Sequence, residues 1–350
     1  MKKMMTMFMA VAMISSLVAC GNTETKEPQT STTIDAQTEA TKNMENAASA
    51  KPETIIIQSM NGEQEMADIE VPYDPQRIAV LDMPTLDIID SLGMGDRIVG
   101  SASVTIEYLT DYNPDASNGA IMNLGTVKTA DLEKVAACEP DVIFIGGRLS
   151  SIYNELSAIA PVVYLPVDYN KGIVASTADN AKTIGSMFGK ETDVDTLMEG
   201  YQTRIDALNN VLNGKDILLC MYNANAMSLM DTESALNILV SELGGNNLGE
   251  TVGEANKATQ GEEASWETIV NLNPEYMFVL DRSTAIGSSD EGVLGAKEVV
   301  ENDLVKEMDV YKNGHIVYFI EHANVWYTST GGVQALDTML SDLEGALLVK

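Results

Sequence analysis

The chain has 350 residues, of which 21 are Lys or Arg and 52 are Asp or Glu, for a formal net charge of −31 at pH 7. So acidic a surface repels phosphate backbones and excludes nucleic acid as a partner, while it keeps a protein soluble and suits docking on basic protein surfaces. Two histidines and three cysteines without a Cys-x-x-Cys spacing are too few donors for a clustered metal centre or a disulfide framework.

The first twenty residues, MKKMMTMFMAVAMISSLVAC, carry two lysines, a short apolar run and small residues before the break. These are the marks of an export signal over residues 1–19, and no other stretch is apolar for the ~20 residues of a membrane span. Leu17-Val18-Ala19-Cys20 resembles a bacterial lipobox and implies lipid attachment at Cys20, the alternative being an ordinary secretory signal with a chance cysteine. Residues 20–53 follow as a tether: rich in Thr, Ala, Glu, Asn and Ser and free of aromatic residues, they bury too little apolar surface to offset the entropy of ordering.

From residue 54 the pattern changes. Two alternating runs about Asn61-Gly62 predict a β-hairpin. RIAVLD (77–82) reads as a strand, followed by a helix that Gly93 and Gly95 end before a further strand. The second half repeats the order, with DILLCMY (216–222) as strand and ALNILVSELGG (235–245) as helix. Strands alternating with helices predict α/β units with mostly parallel sheets. Between the halves, Ile173, Ala181, Ile184, Met187 and Phe188 recur at helical spacing up to Gly189. The fold expected is therefore two α/β lobes, residues 54–169 and 191–350, joined by one long helix within 170–190. Cys138 and Cys220 read as buried free thiols.

One stretch is spelled twice. LEKVAACEPDVIFIGGR (132–148) returns 134 positions later as WETIVNLNPEYMFVLDR (266–282), with Glu, Pro, acid and Arg at matched offsets. In a parallel α/β unit the ligand edge lies at the carboxyl ends of the strands. Arg148 and Arg282 both stand there, able to hold carboxylate or other anionic oxygens through a planar fork, unless each pairs with a local acid. Met83 and Tyr222, at the first-strand ends of the two halves, are further pocket candidates.

From about residue 54 to the end the chain resembles the class III substrate-binding lipoproteins of ABC importers. GRLSSIYNELSAIAP (147–161), NPEYMFVLDR (273–282) and WYTSTGG (326–332) are similar to the ferric-siderophore binders of the catecholate type. The resemblance implies a binder, not an enzyme, that carries ferric iron as a siderophore complex and has no cofactor of its own. Haem, cobalamin or another large chelate is the alternative cargo. It further implies an ABC permease with its ATPase subunits as partner, a monomer, and a lipid anchor on the outer face of the cell membrane. Arg148 and Arg282 fall on pocket arginines of the family, Tyr327 falls on its iron-binding tyrosine, and Glu133 and Glu267 fall on its permease-docking glutamates. Trp326 beside Tyr327 is a candidate pocket residue, though both aromatics can equally be core under the Gly-Gly turn. Two matches fail: a third pocket arginine appears as Ala235, and the iron-binding histidine as Gln260. His322, five residues before Tyr327, is a candidate replacement ligand or else a solvated loop residue. Enzyme motifs are missing: there is no Gly-x-Gly-x-x-Gly or Gly-x-Ser-x-Gly, and GSMFGKE (185–191) falls inside the predicted helix. Nor does the folded part show the tandem repeats of a structural lipoprotein.

Overall fold

The computed structural model describes residues 52–116, 119–251, 262–288 and 292–349. The export signal, Cys20, nearly all of the tether and Gln260 lie outside the described residues. Among the described residues no helix is long and apolar enough to cross a membrane.

The fold begins with the antiparallel hairpin β1 (Thr54–Met60) and β2 (Met66–Pro72). Its turn is longer than Asn61-Gly62 implies. Asn61 Oδ1 accepts from the N–H groups of Glu63 and Glu65, and Gln64 takes the positive φ of 60° that a two-residue turn would have given to Gly62. The asparagine side chain thus organises a wider loop by mimicking a backbone turn.

The first lobe is a five-stranded parallel sheet. It contains β3 (Ile78–Leu81), β4 (Ile98–Ser101) and β5 (Met122–Asn123), and, beyond the small hairpin β6 (Gly125–Thr126) and β7 (Thr129–Ala130), β8 (Val142–Ile145) and β9 (Val162–Tyr164). The order is β5-β4-β3-β8-β9. Every residue of β3 and β8 is buried, which is why both read as unbroken apolar runs. Helices α1 (Met83–Ser91), α2 (Leu132–Ala137) and α3 (Tyr153–Ser157) belong to this lobe.

The chain crosses through α4 (Ile173–Phe188), 16 residues that Gly189 ends in the left-handed conformation at φ 64°. Its length is about 24 Å at the α-helical rise. Helices α5 (Glu191–Leu197) and α6 (Tyr201–Leu212) lead into the second lobe. There β10 (Asp216–Asn223), the antiparallel β11 (Ala226–Leu229), helix α7 (Ile238–Ser241), β12 (Asn246–Asn247) and β13 (Glu262–Glu263) precede α8 (Trp266–Leu272) and β14 (Tyr276–Asp281). Short helices α9 (Arg282–Ala285), α10 (Ala296–Val300), α11 (Asp303–Lys306) and α12 (Asp309–Lys312) lead to β15 (Ile316–Phe319). Strands β10, β14 and β15 are parallel neighbours. The chain closes with α13 (Ala323–Thr328) and α14 (Val333–Leu347). The crossing helix is not alone: α14 packs on α1 of the first lobe as well as on α4, α6 and α13.

The doubled stretch has a doubled structure. Asp131 caps α2 through the N–H of Lys134, and Ser265 caps α8 through the N–H of Thr268. Glu139 and Asn273, each directly before its proline, both have φ 44°. Cys138 and Cys220 are free and buried, and burial pushes both thiols up.

Candidate functional site

At the end of β14 the Asp281 side chain accepts from the N–H of Thr284 at 3.0 Å and turns the chain into α9, of which Arg282 is the first residue. The guanidinium is held from two sides. Its Nε donates to Tyr327 Oη at 2.9 Å and its Nη1 to Asn223 Oδ1 at 2.7 Å, with its carbon 5.4 Å from the Tyr327 ring centre. Both partners are neutral, and two of five N–H donors are used. Among the described residues no carboxylate lies within ion-pair distance of Arg282, so its charge is fixed in place without being neutralised.

Tyr327 owes its position to α13. Trp326 is fully buried, stacks on Phe319 at 4.0 Å and donates its Nε1 to Asp342 Oδ2 at 2.8 Å. His322 Nδ1 lies 2.8 Å from the other oxygen of the same carboxylate. Asp342 on α14 therefore clamps the start and middle of α13. Asn324 extends the clamp to the other lobe by donating to the Thr105 carbonyl at 2.7 Å.

In the first lobe Arg148 follows β8 at the equivalent edge, in the 3-10 turn Gly147–Ile152, with an exposed side chain. Among the described residues it has neither an ion-pair nor a hydrogen-bond partner. Among the described residues the local-acid alternative applies to neither arginine. Of the other arginines, Arg97 pairs with Asp74 and Arg204 with Asp337 and Glu344, while Arg77 donates to the carbonyls of Cys138 and Glu139.

Three sequence candidates prove to be core. Met83 is 3% exposed, Tyr222 and Trp326 0%. The Tyr222 hydroxyl turns back to the Leu294 carbonyl and Asn225, because β10 is buried from Ile217 to Tyr222 and at this end leaves the core only at Asn223. Asn223, which holds Arg282, is marked in the sequence only by the end of the apolar run. His322 lies in the turn before α13 with 42% of its side chain exposed and its Nδ1 tied to Asp342, and among the described residues no group of three or more His, Cys, Asp or Glu is placed to hold a metal ion. Ala235 starts a 3-10 turn leading into α7.

Glu133 and Glu267 are exposed at the second positions of α2 and α8. A cavity of about 500 Å³ opens between the lobes, with Thr105, Glu107 and Tyr108 on one side and Glu321, His322 and Asn324 on the other. Neither arginine lines it, and its two glutamates oppose an anionic occupant.

Each lobe presents an arginine just past the carboxyl end of a central strand, Arg148 after β8 and Arg282 after β14. Residues 78–322 match the family profile described as periplasmic binding protein. The chain belongs to that family. Among periplasmic binding proteins it is 30% identical to the petrobactin-binding protein YclQ of Bacillus subtilis over 350 residues, 99% of each chain. The crystal structure of YclQ superposes with a TM-score of 0.74 at 31% identity, covering 85% of this chain and all of that one. The periplasmic catecholate-siderophore binding protein VctP of Vibrio cholerae superposes with a TM-score of 0.72 at 27% identity, covering 84% and 100%. The ferric-anguibactin-binding protein FatB of Vibrio anguillarum is 23% identical over 286 residues, 80% of this chain and 85% of its own. The resemblance drawn from the sequence and the two-lobed α/β fold are both borne out.

Proposed function

We propose that this periplasmic binding protein captures a ferric siderophore at the strand-end edges of its two lobes and delivers it to an ABC permease and its ATPase subunits. The observation that carries the reading is the pair of strand-end arginines that have no acid partner among the described residues, in a chain of net charge −31. Charge-assisted bonds from guanidinium to catecholate or carboxylate oxygens are the strong ones, and among the described residues they replace no existing ion pair. Relatives that bind petrobactin, ferric anguibactin and catecholate siderophores support the same cargo class. Arg282 and Arg148 are the anion grips. Tyr327, oriented by Arg282, touches the chelate or its iron, and Asn223 fixes the geometry. Iron is cargo in this reading, and the protein acts as a monomeric binder without catalysis.

The remaining assignments belong to the same proposal. Residues 1–19 direct export, Cys20 carries the lipid, and residues 20–53 tether the lobes to the outer face of the membrane. Lobes 54–169 and 191–350 flank the 170–190 crossing. Glu133 and Glu267 meet basic residues of the permease.

The test is a fluorescence titration of the full chain against ferric catecholate siderophores, ferric hydroxamates, haem and cobalamin. Saturable binding of a ferric siderophore, with haem and cobalamin inert, is the expected result. Binding of haem or cobalamin alone would overturn the cargo and leave the carrier role standing; no binding at all would overturn both.

A further inference from the structure

Helices α4 and α14 are the two long elements that touch both lobes, and neither supplies its own cap. Their N-cap residues are Gly172 and Gly332. Four amide groups at the start of a helix have no partner within it, and here carboxylates from elsewhere in the chain take them. Glu242, which follows α7 in the second lobe, accepts from the N–H of Val174 at 3.0 Å. Asp87, on α1 in the first lobe, accepts from the N–H groups of Gln334 and Ala335, each at 2.9 Å. The helix leaving the first lobe is capped by the second lobe, and the helix closing the second lobe is capped by the first.

The glycines make this possible. A Cβ on Gly172 would lie 2.6 Å from Glu242 Oε1, and one on Gly332 would lie 2.5 Å from the Asp87 carboxyl. Asp87 is completely buried, and burial pushes its carboxyl up to about 6. A folded-state value above the unfolded one means that the stability it contributes is present in acid and lost as pH rises through about 6. The groups facing Asp87 are Tyr108 Oη at 2.8 Å, Ser91 Oγ on its own helix, Asp90 (itself bonded to Gln334 and Tyr112) and Tyr201 on α6; none is a cation. Glu242 is faced by Ser241, and its main-chain carbonyl by Asn209.

We propose that Asp87 and Glu242 are reciprocal latches between the lobes, positioning residues that together set the angle at which the two strand-end edges face each other. Hydrogen bonds weaken steeply with distance and angle. A change in lobe angle that parts either acid from its helix strands buried N–H groups, and because both latches act on the same motion, release of one loosens the other. The inference holds whatever the cleft binds.

Hydrogen exchange of the full chain without ligand tests it, read by mass spectrometry at peptides covering residues 173–176 and 333–336 in wild type, Asp87→Asn and Glu242→Gln. Each variant is expected to speed exchange at its own cap and, by about fivefold, the factor one lost hydrogen bond gives, at the opposite cap. Gly332→Ala, at a φ of −83° that alanine adopts freely, pushes on Asp87 and is expected to speed exchange at Val174 likewise. Should Asp87→Asn not fold, Glu242→Gln read at 333–336 and Gly332→Ala read at 173–176 carry the same test. Acceleration confined to the altered cap in every variant that folds makes each acid a local cap and overturns the proposal.

Discussion

The two copies of the doubled stretch share their helix caps, their left-handed residue before proline and the place of their arginine, yet they leave those arginines in different states. Arg282 is braced by Asn223 and Tyr327, whereas Arg148 stands exposed and, among the described residues, without a partner. The difference lies outside the repeat. Asn223 comes from β10 and Tyr327 from α13, and the first lobe sends nothing equivalent to Arg148. Asp82, just past the end of β3, turns inward, accepts from Thr85 and is pushed up by burial. The repeat therefore places a guanidinium at each edge, and unrepeated neighbours decide whether it is preorganised. A braced arginine meets its ligand with little further loss of freedom, while a free one gives up about 2 kcal/mol of rotamer entropy on being fixed.

The largest expected effect follows directly. Arg282→Ala should weaken binding of a ferric catecholate siderophore by about 3 kcal/mol, roughly a hundredfold, the upper range for a hydrogen bond to a charged group. Arg148→Ala should cost about 1 kcal/mol. Isothermal titration of the two variants reads both values, and a reversed order would show that bracing does not decide which arginine anchors the ligand.

Asn223→Asp sharpens the comparison by giving Arg282 the acid it lacks. The brace is kept and the charge is neutralised, so affinity should fall by about 2 kcal/mol while thermal stability holds or rises. Wild-type affinity in this variant would mean that Arg282 is needed for shape and not for charge.

The smallest effect on binding is expected from the part of the repeat where the copies do not differ. Glu133 and Glu267 are both exposed helix-start acids, and changing both to Ala should leave ligand affinity and melting temperature nearly unchanged, since exposed charges are worth little to stability. Uptake in cells at limiting ligand should fall, because two matched charges orient a rigid body on a two-subunit permease. Normal import by the double variant would reduce the pair to helix-start acids left by duplication.

Much of this was legible in the sequence, for identifiable reasons. Matched offsets located α2 with β8 and α8 with β14, and Gly189 marked the end of the crossing helix because left-handed φ favours glycine. Side-chain direction was not legible where a strand is buried on both faces. Met83, Tyr222 and Trp326 stand at strand ends or beside the key tyrosine, yet all three turn inward, and periodicity gives no warning in a continuous apolar run. The partners of Arg282 were hidden for another reason: Asn223 lies 59 and Tyr327 45 positions from it, and only the packing of β10 and α13 around β14 brings them together. Asp342, which joins His322 to Trp326, is equally remote from any motif.

The central claim is that two arginines, one braced and one free, grip one anionic chelate between the lobes. Its most direct test is the affinity of the Arg148→Ala/Arg282→Ala double variant for a ferric catecholate siderophore, set beside the two single variants at low and high salt. The account predicts a double variant that folds, binds more weakly than either single variant, and shows a salt dependence much weaker than that of the wild type. Affinity equal to wild type in the folded double variant would contradict it.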